Sequence, residues 1–349
     1  MDDCPICRSI TERSALYERW LHAENHGDSA SLQAIAAARG FCSIHARRLL
    51  DRDSDIAGAI ASFVLQMICA HLDRQQRDRR GYRDALEPSR LCSWCATEFE
   101  ALDYALSDRK RISGTLCAPH ARAAMVAERQ PLHIGSPLLA GASLAPPVVA
   151  APAAASHAWW SQVVRELWET LRRSCAACDA AREAGEQREE FLRGGPRSHE
   201  HWEIPTLCVA HDAALGKPRT DAYVRTPDRI DRECDWCSVM YRAAERTARL
   251  FATAFCDPNF RLAYASVPGL CLPHCAAVMH QLPEAERDAF CTAVRVRVDA
   301  MAWELEERAA RRSWQLRDQR SLSQAETLSH RAWWLISGGV FRAQKSATR

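Results

Sequence analysis

Sixteen residues of this 349-residue chain fall into pairs with the spacing of metal ligands. Four pairs are CxxC: Cys4/Cys7, Cys92/Cys95, Cys175/Cys178 and Cys234/Cys237. Four are CxxH: Cys42/His45, Cys117/His120, Cys208/His211 and Cys271/His274. They alternate strictly along the chain, with 34, 21, 29 and 33 residues between each CxxC and the CxxH that follows. Two thiolates two residues apart can hold one tetrahedral ion from a single turn. A Cys and a His at the same spacing supply the other two corners, which makes Cys3His, a known structural zinc set. Four ordered repetitions exceed chance, and an apolar residue (Phe41, Leu116, Leu207 or Leu270) precedes every CxxH. Zinc, four ions per chain, is the expected cofactor, and iron–sulfur is the alternative. None of the ferredoxin spacings occurs. Haem attachment is excluded, because Arg8, Ala96, Asp179 and Ser238 stand where the required His would follow the second Cys. Pairing within each module, CxxC with the next CxxH, is the simpler expectation. Cross-bracing between neighbouring modules also fits by length.

The elements that carry these ligands read as helices. Ile6, Ile10, Tyr17 and Leu21 follow Cys4 at helical spacing; Phe99, Leu102 and Leu106 follow Cys95. Ile56, Ile60, Phe63, Val64, Met67 and Leu72 trace a long stripe after His45, and Phe290, Val294, Val298, Met301 and Leu305 trace another after His274. No comparable run alternates with period two. Pro5, Pro119 and Pro273 lie inside ligand pairs, and proline is favoured in the first helical turn. Each pair is therefore expected to open a helix, where free N–H groups and the helix dipole favour thiolates. The fold class is all-α: tandem helical modules stapled by Cys3His sites, in two pseudo-repeated halves.

The halves are read as 1–130, with modules one and two, and 158–306, with modules three and four. A Pro/Ala-rich linker, 131–157, holds five prolines without a helical stripe. Residues 307–349 form a basic extension with nine basic and three acidic residues. Its Trp333 and Trp334 are the candidate partner contact. Of the four remaining cysteines, Cys69 and Cys291 read as small buried apolar residues. Cys256 has no assigned role, and Cys275 stands directly after a ligand as a substitute donor or supporting thiol. His199 and His201 flank Glu200 in a loop of glycine and proline, and His22 and His26 lack a third ligand. Trp94 and Trp236 sit inside CxxC pairs, placed to shield thiolates from water.

Composition narrows the function. Net charge is +2, from 46 basic and 44 acidic residues, so no global field marks a nucleic-acid or membrane binder. The opening residues have no basic segment followed by an apolar one, and no apolar run reaches the ~20 residues of a membrane span. A cytoplasmic location is expected, where thiols serve metals rather than disulfides. No P-loop, Rossmann glycine pattern, GxSxG or HExxH is present, and a four-ligand zinc keeps no open position for water, so an enzyme is not favoured.

CPIC at 4–7, Gly-Phe-Cys-x-x-His-Ala at 40–46 and Leu-Cys-x-Pro-His at 116–120 and 270–274 give the chain a resemblance. It resembles an uncharacterised bacterial family, catalogued as a domain of unknown function, with helical CxxC…CxxH modules. The resemblance covers 1–130 and, by repetition, 170–310. It implies a bacterial cytosolic protein with a helical metal-binding fold, and carries no activity or catalytic residues. The expected function is a zinc-stabilised interaction or adaptor protein. The alternatives are a redox or metal-handling protein, and nucleic-acid binding through arginine-rich faces.

Overall fold

A computed structural model describes residues 4–23, 27–78, 86–90, 92–107, 157–194, 234–264, 267–311 and 325–338. Among them are twelve helices and no strand: α1 (Pro5–Ala23), α2 (Ser29–Ala37), α3 (Ser43–Arg52), α4 (Ser54–Asp78), α5 (Ser93–Ser107), α6 (His157–Leu171), α7 (Ala176–Gly194), α8 (Asp235–Phe255), α9 (Pro258–Tyr264), α10 (Leu272–Gln281), α11 (Glu284–Arg311) and α12 (Ala325–Ser337). The all-helical expectation is met. The expected linker up to residue 156 lies outside the described residues. So do Cys117, His120, Cys208, His211, His26, His199 and His201.

The chain divides into two compact units. One comprises 1–16, 97–147 and 180–244; the other comprises 17–96, 148–179 and 245–349. In the first, buried Cys4 and Ile6 pack with Leu106, and Cys7, Ile10, Leu102 and Ala105 border them. Gly185 of α7 lies against Trp236 and Met240 of α8.

The second unit is built around α4. Ala57, Ile60, Ala61, Val64, Leu65, Ile68 and Leu72 are fully buried, a wider stripe than the short helices α2 and α3 can cover. The remainder is buried by α11, through Phe290, Val294, Val298 and Leu305, and by α12, through Ala332, Trp333, Leu335 and Ile336. The two units therefore do not coincide with the halves read from sequence. Within the second unit, helices from both halves bury each other's stripes. Residues 54–75 of α4 are long and apolar enough to cross a membrane, which the sequence reading did not register; their packing against α11 and α12 is that of a core helix. A second apolar cluster gathers Phe251, Phe255, Tyr264 and Phe290, with ring centroids from 4.9 to 6.2 Å apart.

Trp333 departs from its expected role. It is fully buried, stacks on Phe41 at 5.6 Å and donates its indole N–H to the Ala57 carbonyl at 2.9 Å. An indole needs a buried acceptor, and α4 supplies one. It is a core residue rather than a surface contact; Trp334 is half-buried.

The turn into α3 is the tightest point beside this core. Gly40 has φ 89°, and a Cβ there would lie 2.7 Å from Ile336 Cγ2 and 2.9 Å from Trp333 Cζ3. Gly40→Ala is expected to lower stability by about 1–3 kcal/mol, through positive-φ strain and overpacking together. Gly27→Ala, where nothing lies within 4 Å, is the matched control and should change little. Thermal melts followed by circular dichroism compare them; equal melting temperatures would contradict this packing.

Candidate metal centres

Six of the eight ligand pairs are described, and all six open a helix in the same way. The carbonyls of Cys4, Cys42, Cys92, Cys175, Cys234 and Cys271 each accept the N–H four residues on, at 2.8 to 3.1 Å. The first cysteine is thus the residue flanking the helix, and the second ligand lies one turn on, on the same side. Cys42 and Cys271 share extended backbone, with φ −64°, ψ 163° and φ −69°, ψ 159°. Each leads a ten-residue helix, and each of those is followed by a long one, α4 or α11. A positive-φ glycine stands two residues before each, Gly40 and Gly269. The two described CxxH segments are one local structure used twice.

The donor sets do not follow the modules. Cys42 and His45 meet Cys92 and Cys95; Cys175 and Cys178 meet Cys271 and His274. These are the two Cys/His groups among the described residues whose ligand atoms all lie within 4.8 Å of one another. Pairing within modules, the simpler expectation, is overturned for these ligands, which come from all four modules; each set joins neighbouring modules, one with two and three with four. The reason lies in the approach segments. Ser89 donates its backbone N–H and its hydroxyl to the Ala37 carbonyl, both at 3.0 Å, so the chain entering Cys92 runs beside the chain entering Cys42. Gly269 N–H donates to Leu171 O at 3.3 Å, which does the same for Cys271 and Cys175. Neither contact has a sequence signature.

In the first centre, His45 Nδ1 lies 3.3, 3.7 and 3.4 Å from the sulfurs of Cys42, Cys92 and Cys95, and Cys42 and Cys95 are 3.6 Å apart. In the second, His274 Nδ1 lies 3.3, 3.4 and 3.1 Å from Cys175, Cys178 and Cys271, and Cys178 and Cys271 are 3.7 Å apart. A tetrahedral ion with bonds of ~2.3 Å to sulfur and ~2.0 Å to nitrogen sets S···S near ~3.8 Å and N···S near ~3.5 Å. Both sets have that shape and fit a single ion.

The surroundings differ. Cys175, Cys178 and Cys271 are buried, whereas Cys42, Cys92 and Cys95 are half-buried. Trp94, between Cys92 and Cys95, is fully buried and stacks on the His45 ring at 4.8 Å and 9°. Arg48 lies over the same indole at 5.7 Å. The second centre has a clamp that the sequence reading missed. Arg297 of α11 donates to Tyr264 Oη and to the Leu270 carbonyl, fixing the residue before Cys271. An arginine inside the apolar stripe between Val294 and Val298 was its available signal. Cys275 is fully buried with its thiol directed at Leu270 O, 3.6 Å away, and burial pushes it up to about 12. It is a supporting thiol and not a fifth donor. Burial likewise pushes Cys69 and Cys291 up to about 12.

Cys4, Cys7, Cys234 and Cys237 are described but join neither group; the CxxH pairs 117/120 and 208/211 lie outside the described residues. No family model, curated protein or solved structure matches the chain.

The donors carry opposed protonation. Hydrogen bonds with Cys92 and Cys95 hold Cys42 far below the ordinary thiol range, and bonds with Cys42 and Cys92 hold Cys95 above it. In the second centre, burial opposes the Cys175 thiolate, but hydrogen bonds with Cys178, Cys271 and His274 bring it well below the usual value. Burial raises Cys271, and its bonds to Cys175 and Cys178 raise it further. Burial opposes a charged His274 ring, yet bonds with Cys175 and Cys178 lift it to about 10. At neutral pH, Cys271 and His274 therefore hold protons that a metal must displace. Zinc binding at this centre should release protons, so its affinity should rise with pH from 6 to 9. Chelator competition across that range measures the slope; a pH-independent affinity would contradict this protonation pattern.

Proposed function

We propose that the chain is a non-enzymatic zinc-binding protein with four structural Cys3His sites, which hold a helical scaffold for binding another protein. One observation carries the reading. Four donors from two distant helix starts converge within 4.8 Å, a span that suits one tetrahedral ion. Such a set has no coordination position left for substrate or water. Bound zinc would supply cross-linking and charge neutralisation. The residues of this chain do the rest: they bring the donors together at helix starts and bury them, wholly at the second centre and in part at the first. A structural zinc contributes an apparent ~10–16 kcal/mol at neutral pH, comparable with a domain's whole stability.

The remaining ligands support the count of four. Once the two described sets are removed, 1–130 retains Cys4, Cys7, Cys117 and His120, and 158–306 retains Cys208, His211, Cys234 and Cys237. Each remainder is again three cysteines and one histidine. By number, all eight fall in the ranges of the first unit, 1–16, 97–147 and 180–244. Cys4 already packs beside Leu106, eleven positions before Cys117. The resulting order is nested in both halves, first pair with fourth and second with third.

Metal analysis by mass spectrometry should return four zinc per chain and no iron. Cys4→Ser with Cys7→Ser should remove one zinc and expose Cys117 to alkylation, leaving Cys42 protected. Exposure of Cys42 instead would restore pairing within modules. For the interaction role, metal-loaded and stripped protein are compared as baits in the native host. A stoichiometric partner held only by the loaded form supports it; turnover of a substrate without a partner overturns it.

A second reading has one observation in its favour. The half-buried thiols of the first centre suit exchangeable metal better than the buried thiols of the second. If metal handling is the role, a chromophoric chelator should withdraw the first zinc much faster than the second.

A further inference from the structure

The C-terminal part of α12 packs towards both described centres. Its last two turns serve the first centre. Trp333 and Ile336 lie against Gly40, Trp333 stacks on Phe41, Phe41 meets Trp94 edge-on at 6.0 Å, and Trp94 stacks on the His45 ring. Its end serves the second. Gly338 takes φ 64° and closes the helix with its N–H on Trp334 O at 3.1 Å. A Cβ there would lie 2.9 Å from Cys271 Sγ and 3.5 Å from Cys178 Sγ. Only a glycine lets the backbone cover those sulfurs so closely and turn in the left-handed region.

A 13-residue helix is marginal in isolation. α12 persists because Ala332, Trp333, Leu335 and Ile336 are buried where it packs on α3, α4, α10 and α11. Two of those four, α3 and α10, open on the ligands Cys42/His45 and Cys271/His274. Metal in either centre fixes the start of one of them, and with it part of the surface on which α12 docks. Docked α12 in turn fixes Gly40–Phe41 at one centre and covers two sulfurs at the other. Undocking of α12 would therefore be opposed by metal at both centres, which is the physical condition for coupling between sites.

We propose that α12 couples the two centres, so that metal at either one strengthens metal retention at the other. This rests on the metal reading of both clusters. Coupling of binding free energies is reciprocal, so the effect must be the same in both directions.

The test uses the full-length chain loaded with zinc alone. Two readouts are site-resolved: alkylation of individual cysteines by N-ethylmaleimide, followed by mass spectrometry, and amide hydrogen exchange. Three proteins are compared with wild type: Cys175→Ser/Cys178→Ser, Cys92→Ser/Cys95→Ser, and Gly338→Val, which keeps every ligand. Removing the second centre should speed alkylation of Cys42, Cys92 and Cys95 at least ~5-fold, within the ~5–150-fold range usual for coupled sites. Removing the first should do the same to Cys175, Cys178 and Cys271. Gly338→Val should raise exchange across 328–337 and loosen the thiols of both centres, while amides around Ile60–Ile68 in α4 stay slow. Three outcomes would overturn the proposal. The untouched centre could keep wild-type protection while α12 exchanges freely. The thiols could loosen only when α4 exchanges too, which is global unfolding. Gly338→Val could affect the second centre alone. If the thiols of zinc-loaded wild type alkylate as fast as those of stripped protein, the metal reading itself fails, and that result is distinct from independent loading.

Discussion

Each described centre is closed by donors that reach it from two helix starts far apart in the chain, and the second unit is organised around that closure. A cysteine flanking a helix and a second ligand one turn on present two donors on one side. Two such starts brought tip to tip make a tetrahedron. The pairs meeting at the first centre span Cys42 to Cys95, and those at the second span Cys175 to Cys271. Cross-links closing loops of that length remove about 4–5 kcal/mol of chain entropy from the unfolded state, by the relation used for disulfides. The helices that follow the ligands, α4 and α11, are then rooted at fixed points, and their wide apolar stripes find each other.

The helix starts also set the electrostatics. Thiolates gain from the unpaired N–H groups and positive potential of a helix N-terminus. Burial works in the opposite direction at the second centre, where three sulfurs are excluded from water. Burial keeps the proton on Cys271, the sulfurs of Cys175 and Cys178 keep it on His274 against burial, and a divalent cation bound there would replace both. At the first centre the donors are less buried, and the indole of Trp94 stands in for part of the missing cover. One scaffold thus holds a sealed site and a more open one with the same ligand types.

Much of this was legible in the sequence. The eight donors of the two described sets, their place at helix starts and the stripes of α4 and α11 follow from spacing and residue chemistry alone. The pairing did not. Which helix starts meet depends on Ser89 reaching Ala37 and on Gly269 reaching Leu171, contacts between ordinary residues at long range. Trp333 was misread for a related reason. A short apolar run in a basic tail looks like a surface feature, because nothing local reveals that α4 has a face left to cover and a carbonyl, at Ala57, that accepts the Trp333 indole N–H. Arg297 leaves a signal, an arginine inside an apolar stripe, but its role is recognised only once Tyr264 and Leu270 are seen to face it. The apolar length of α4, in turn, says nothing by itself about what covers it.

The central claim is a single ion held by three sulfurs and one nitrogen at each centre. X-ray absorption at the metal edge of the purified, full-length protein tests it most directly. The account predicts a zinc edge and a first shell of three sulfurs near ~2.3 Å and one nitrogen near ~2.0 Å, with no metal neighbour beyond it. An iron edge with metal–metal scattering, or a zinc shell dominated by oxygen, would contradict it.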